Sequence, residues 1–190
     1  MTTTGANDLT TLDSVKSYLR LNDTDIADDI LQTLITNVSA YIETYTNRHI
    51  KEAEYTDVID GAGQPCQKIM FANYPAFEVS ALTIDGIAIP AAQTVTSAGY
   101  RFNSNALVLN GYYFTAGFQN VSVTYTAGYE IVPYDLQQAC NELVALRYRE
   151  MERIGEVSKS MSGETVTFSR DAIPPDVLIT LNQYKKVITV

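Results

Sequence analysis

VSVTYTAGYEIVPYDLQQACNELVALRYRE, residues 121–150, decides the fold of this chain. Val121, Val123 and Tyr125 alternate with Ser122 and Thr124, the period-two pattern of a strand with one buried face. Gly128 ends that strand, and Pro133 marks the change to helix. Proline suits a first helical turn because its missing N–H has no intrahelical partner there. Leu136, Cys140, Leu143 and Arg147 then recur at spacings of three and four, on one helical face.

A similar helical run stands near the N-terminus. Residues 1–10 are polar and read as loose. Thr11 is a suitable N-cap for a short helix with Leu12, Val15 and Leu19 on one side. The NDTD segment at 22–25 breaks that helix and caps a second. Ile26, Ile30, Leu34, Val38, Ile42 and Tyr45 mark the face of that second helix, with Leu31 and Ile35 widening the stripe. Asp25, Asp28 and Asp29 lie in its first turns and Arg48 and His49 in its last, each where the helix dipole favours that charge.

Between these helical parts the pattern is β. Tyr55–Ile59, Gln67–Phe71, Phe77–Ile84, Ile87–Ile89, Tyr100–Phe102, Ala106–Leu109 and Val121–Tyr125 read as short strands. Asp85-Gly86 is suited to a type I′ hairpin turn. This spacing predicts a small sandwich or open barrel. The expected class is α+β: a helical core of three to four helices from both chain ends, with an inserted small antiparallel β domain. The boundaries are residues 1–50 and 131–190 for the core with a C-terminal arm, and 51–130 for the insertion. Residues 155–173 read as irregular, with a short strand at Glu164–Ser169. Pro174-Pro175-Asp176 opens a last helix with Leu178, Leu181 and Tyr184 on one face.

The chain has 190 residues and a net charge of −9. Acids and bases number seven and three over residues 1–50, seven and three over 51–133, and eight and seven over 134–190. Such a balance argues against a protein that grips nucleic acid through its phosphates. No apolar run approaches the ~20 residues of a membrane span. MTTTGANDLTT lacks a basic and an apolar secretory region, so synthesis in a cytoplasm is expected. Cys66 and Cys140 stand alone, without metal-ligand spacing, and Cys140 falls on an apolar helical face.

A search for catalytic constellations finds none. His49 is the sole histidine, and its helix-end position reads as structural. Gly61-Ala62-Gly63 lacks the Lys-Ser/Thr of a phosphate loop. Asp23, Asp25, Asp28 and Asp29 lack the spacing, glycine and closing glutamate of a calcium loop, and helix capping explains them better. A metal-dependent hydrolase using these aspartates is the enzymatic alternative. Tyr112-Tyr113-Phe114 lacks the interleaved Lys or Arg of a base-stacking platform, which favours a strand edge or a protein contact. No cofactor or metal is expected. Arg147, Arg149 and Arg153 with Glu150 and Glu152 form a mixed-charge helical stretch, suited to ion pairs on a solvated face or to a protein interface.

Three stretches carry a resemblance: LTTLDSVKSYLRLNDTDIADDILQTLITNVSAYIETYTNRHI at 9–50, VTYTAGYEIVPYDLQQACNELVALRYRE at 123–150 and GETVTFSRDAIPPDVLITLNQYKKV at 163–187. In this order they resemble the head–tail connector (adaptor, or head-completion) proteins of long-tailed bacteriophages. The resemblance covers about half the chain and implies a non-enzymatic virion protein of the neck, made in the bacterial host cytoplasm. It implies a homo-oligomeric ring of about twelve copies that docks on the portal protein and receives a stopper or tail-completion protein. DNA would pass through the bore without specific binding, which gives the acidic balance a reason. The C-terminal part would reach the portal, which points to Tyr184, Lys185, Lys186 and Val187. Helical faces with Tyr41 and Tyr45, and with Arg147, Arg149 and Arg153, are the expected contacts between subunits. The alternatives are another neck component, such as the stopper itself, or a β-domain binding module.

Overall fold

Helix α2 (Asp28–Thr46) sets the frame of the helical part. It buries Leu31, Ile35, Val38, Ser39, Ile42 and Thr46. The buried apolar residues Leu31, Ile35, Val38 and Ile42 all belong to the expected stripe, whose outer side is left uncovered: Ile30 is exposed and Leu34 half-buried, and the neighbouring Tyr41 is exposed too. Only the inner side of this wide stripe meets its neighbours. Asn47, with a left-handed φ of 52°, ends the helix. Arg48 N–H donates to the Glu43 carbonyl and Asn47 N–H to that of Thr44, a Schellman closure. Arg48 and His49 therefore lie past the helix, not in its last turn.

The computed structural model describes residues 5, 7–21, 28–63, 66–151, 158–161, 164–167 and 173–186. The chain divides into two compact units, residues 1–50 with 132–190, and residues 51–131. In the first unit, α1 (Leu12–Leu19) starts at Thr11, whose hydroxyl accepts from Ser14 N–H at 3.3 Å. Helix α3 (Tyr134–Met151) buries Leu136, Cys140 and Leu143. Pro133 stands just before its first turn and caps it by accepting from Gln137 N–H. Helix α4 (Pro175–Tyr184) opens at Pro174 and buries Val177 and Leu181.

Residues 8–10 correct the expectation of a loose N-terminus. Asp8, Leu9 and Thr10 are buried. Leu9 N–H donates to Ser39 Oγ at 3.0 Å, and Thr10 Oγ1 donates to Asn141 Oδ1 at 2.7 Å. Asn141 Nδ2 donates in turn to Ser14 Oγ at 3.0 Å, and Gln32 Nε2 to Asp8 Oδ2 at 2.6 Å. The short polar segment is held because each buried polar group finds a partner on α1, α2 or α3.

The second unit is a two-sheet sandwich. The larger sheet contains β1 (Ala53–Gly61), β3 (Ala76–Ile84), β4 (Ile87–Ala88) and β7 (Gly117–Ala127), in the order β1-β7-β3-β4. The smaller contains β2 (Lys68–Met70), β5 (Gly99–Phe102) and β6 (Ala106–Asn110), in the order β2-β6-β5. All pairings are antiparallel. Val121, Val123, Tyr125 and Ala127 of β7 share one core with Val79, Leu82, Tyr100, Leu107 and Leu109. Tyr125 donates its hydroxyl to Asp57 Oδ2 at 2.6 Å and accepts from Asn73 N–H at 3.0 Å. Its ring packs 4.5 Å from that of Phe71. Asp85 (φ 53°) and Gly86 (φ 77°) make the two-residue turn between β3 and β4. Phe114 of the tyrosine-rich segment is a core residue, whereas Tyr113 is exposed.

The short strand expected at Glu164–Ser169 is present as Glu164–Thr167, and it has a partner at Ser158–Met161 that the irregular reading did not include. β8 (Ser158–Met161) pairs antiparallel with β9 (Glu164–Thr167). The polar SKSM run carries too little apolar alternation to announce a strand.

Candidate interaction surface

The stripe of α2 left outside the core forms one wall of a groove. Leu34, Asn37 and Tyr41 of α2 face Leu143 and Arg147 of α3 across a cleft of about 260 Å3, with Val38 also lining it. Val38 and Leu143 are buried, while Tyr41 is 40% exposed. Two residues singled out in the sequence, Tyr41 and Arg147, thus meet in one feature from different helices. The Arg147 Nη1 lies 3.1 Å from Glu150 Oε2, one turn further along α3. An exposed pair of this kind contributes under about 1 kcal/mol, so it orients the guanidinium more than it stabilises the fold.

The other candidates lie elsewhere. Arg149 is exposed and does not line the groove. Tyr45 belongs to the seat of α4: its hydroxyl donates to Asn182 Oδ1 at 2.9 Å, and Lys185 Nζ stands 5.0 Å above its ring. Tyr184 donates its hydroxyl to the Asp135 carboxylate, 2.8 Å from each oxygen. Arg48 Nη1 donates to the Tyr184 carbonyl at 3.2 Å, and Lys186 N–H to that of Thr46 at 2.8 Å. Tyr184 and Lys186 hence help hold the C-terminal helix against α2 and α3, while Lys185 is exposed. Arg153 and Val187, and Asp23 and Asp25 of the acidic cluster, lie outside the described residues. Sequence reasoning missed Asp135 and Asn182 and gave Arg48 to the helix dipole; all three complete this seat. Asp135 looked like an ordinary acid in a first helical turn, and no local pattern reveals a partner on another helix.

Little here suits bond-making chemistry. Cys140 is buried, and burial pushes its thiol up to about 12 despite the Ser39 hydroxyl 3.8 Å away, so it is not a nucleophile at neutral pH. Burial, with Asp57 beside it, likewise raises the Tyr125 phenol well above its ordinary value. Asp85, in the turn between β3 and β4, is lowered by hydrogen bonds from Thr115 and Asn120. Asp28 pairs with Lys16 at 2.6 Å, and His49 lies 3.5 Å from Glu43. Among the described residues no cluster of three or more His, Cys, Asp and Glu is placed to hold a metal ion. Among them, too, no helix is long and apolar enough to cross a membrane. Gly61 and Gly63 have structural roles: Gly61 closes β1, where a Cβ would meet the Thr115 carbonyl oxygen at 1.8 Å, and Gly63 has a φ of +80°.

The sequence profile of head completion proteins matches residues 8–187. The chain belongs to the head completion protein family. No curated protein matches it. Among solved structures, this head completion protein is similar to a chain in the neck of an empty gene transfer agent particle, resolved with C6 symmetry. The TM-score is 0.60 at 19% identity, over 100% of this chain and 95% of the other. A chain in the neck of the native particle, resolved with C12 symmetry, gives 0.60 at 17% identity over the same shares. A chain of the native gene transfer agent virion gives 0.61 at 17% identity, over 99% and 95%. At these identities the likeness is one of fold, and it extends over both units.

Proposed function

We propose that this head completion protein is a structural component of the neck of a phage-like particle. It forms a ring of about twelve copies below the portal, links the capsid to the tail and lengthens the DNA channel. The observation that carries the reading is family membership over residues 8–187. The C12 symmetry of a neck containing a protein of the same fold supports the ring number. The net charge of −9 suits a wall past which DNA slides without adhering.

The helical unit forms the ring contact on this reading. A closed ring needs two different faces per subunit. The groove with Tyr41 and Arg147 is one of them, because it joins an exposed aromatic to a cation beside an apolar floor, a combination enriched at protein interfaces. Tyr45 shapes that contact through the seat of α4, Arg149 extends the basic side of α3, and Arg153 belongs to the same contact. The C-terminal segment attaches to the portal through Tyr184, Lys185, Lys186 and Val187, with Lys185 as the exposed cation. The opposite end of the ring receives a stopper or tail-completion protein. The role is architectural, not enzymatic.

Electron microscopy of the purified protein, alone and with its portal, tests the reading. Wild type is expected to form rings. Tyr41→Ala with Arg147→Glu should remain folded by circular dichroism yet fail to close rings. Normal rings from that variant would remove the groove from the interface, and wild-type protein that never forms a ring would refute the connector role.

A further inference from the structure

The second unit has two exposed sheet faces. The buried faces of its sheets share one core, so the other two point away from each other on opposite sides of the sandwich. Their charges are sorted. On the smaller sheet Lys68 pairs with Val108 and Val108 with Arg101, one row across three strands. All three are exposed. They alternate with the core residues Leu107, Leu109 and Tyr100, which fixes the row on the outer face. Residues 51–131 contain three basic side chains, Lys51, Lys68 and Arg101, and two of them are in this row.

The larger sheet carries the converse. Glu54 pairs with Thr126, and Thr126 with Glu78. Both glutamates are exposed, and the row alternates with the buried Tyr125 and Ala127. In each row two like charges flank a central strand. Two inter-strand spacings separate them, about 10 Å in both cases. Each face has apolar surface close by: Met70 and Val108 near the basic row, and Val58 on β1 near the acidic one. A cleft of about 420 Å3 opens beside Arg101 and Val108. Among the described residues no ion pair engages Lys68, Arg101, Glu54 or Glu78.

At about 10 Å, near one Debye length, the two like charges of a row repel each other only weakly, so each row can be held on the single chain and still present a double charge to a partner. Two such rows of opposite sign and equal spacing, on opposite faces of one unit, complement each other. We infer that the β unit makes a head-to-tail contact with the β unit of a second copy, the Lys68–Val108–Arg101 row of one against the Glu54–Thr126–Glu78 row of the next. A contact between unlike faces continues from copy to copy, as a ring requires. Three strands cover only part of the ~800 Å2 per partner of a stable interface, so this contact adds to the helical one and helps fix its register. The inference rests on the ring reading and assigns the β unit a share of it.

Charge swapping tests it by analytical ultracentrifugation and electron microscopy at low and high salt. Lys68→Glu with Arg101→Glu, or Glu54→Lys with Glu78→Lys, should each weaken self-association about tenfold, since two attractive exposed pairs become repulsive. Mixing the two variants in equal amounts should restore it. The four-residue swap should restore it too, and retains the net charge of −9, which separates a specific contact from overall repulsion. Rings from wild type and from both double variants with equal affinity would overturn this contact and leave the ring reading intact. Variants that form normal rings but lose a tail-side neck protein would assign these faces to that protein and overturn the inference. Wild-type protein that stays monomeric with and without portal would end both.

Discussion

Removal of residues 174–190 is the obvious way to ask whether the C-terminal segment attaches the protein to its portal, and the structure says that the truncation will not be silent. Helix α4 buries Val177 and Leu181 at 2% and 0% exposure. Full burial of such side chains is worth about 1.5–3 kcal/mol each, so about 3–6 kcal/mol leaves with the helix. The Tyr184–Asp135 hydrogen bond adds about 1.5–3 kcal/mol in principle because its acceptor is charged. Its exposure places it at or below the lower end. Against a domain stability of about 5–15 kcal/mol, the helical unit would be left marginal. Urea unfolding followed at 222 nm should show the loss. With a slope of about 2 kcal/mol per molar, the midpoint falls by about 2 M. Leu181→Ala alone should cost about 2–5 kcal/mol through its cavity. Lys185→Glu changes an exposed residue and removes its cation–π contact with Tyr45, so it should cost about 0.5–1 kcal/mol, far less than the truncation. It should nonetheless weaken portal attachment in a pull-down. A truncated protein that unfolds at the wild-type midpoint would refute the placement of α4 in the core. Failed attachment by the truncation, without failure by Lys185→Glu, would trace the defect to lost structure instead of a lost contact.

Asn141→Ala removes two hydrogen bonds and strands the buried Thr10 hydroxyl, which should cost about 2–3 kcal/mol in urea unfolding; a cost below 0.5 kcal/mol, on the order of a surface change, would refute the network. The Cys140 thiol, raised from 9.0 to about 12, keeps its proton in the folded state where the unfolded chain loses it. Stability is therefore unaffected by this group below pH 9 and falls by about 1.4 kcal/mol per pH unit as pH rises from about 9 towards 12. Unfolding midpoints of wild type and Cys140→Ala between pH 8 and 11 should diverge accordingly, and parallel curves would show that the thiol is not buried. Gly128→Ala places a Cβ 2.3 Å from the Lys51 carbonyl oxygen at a φ of +111°. It should destabilise the β unit by about 1–3 kcal/mol, read as a lower melting temperature, and an unchanged melting temperature would show that the backbone there adopts another conformation.

The seam at 121–150 was legible because Gly128 and Pro133 restrict the backbone whatever surrounds them, and because a strand and a helix bury residues with different periods. The caps at Thr11 and the Asp85-Gly86 turn were readable for the same local reason. Residues 8–10 were not. Their burial depends on Ser39, Gln32 and Asn141, which lie up to 131 positions away. Polar composition alone looks the same whether its partners are water or protein. Of the expected interface residues, Tyr41 and Arg147 could be singled out by type but not brought together, since the groove exists only once α2 and α3 are packed.

Helix α2 shows how the part of an expected face that folding leaves uncovered carries functional information. Its apolar stripe, widened by Leu31 and Ile35, is broader than one core needs. Packing buried Leu31, Ile35, Val38 and Ile42. The residues left over include Ile30 and Tyr41, both exposed, and Leu34 and Tyr41 line the groove. A fold that requires only the narrower stripe has no use for the wider one. Apolar surface beyond the needs of folding favours aggregation unless something covers it. The charged rows of the β unit obey the same logic. Lys68 and Arg101 are 33 positions apart, and Glu54 and Glu78 are 24 apart. Only the registers through Val108 and Thr126 place each pair in line. Neither feature serves the stability of the single chain, and both become useful when a second copy stands beside it.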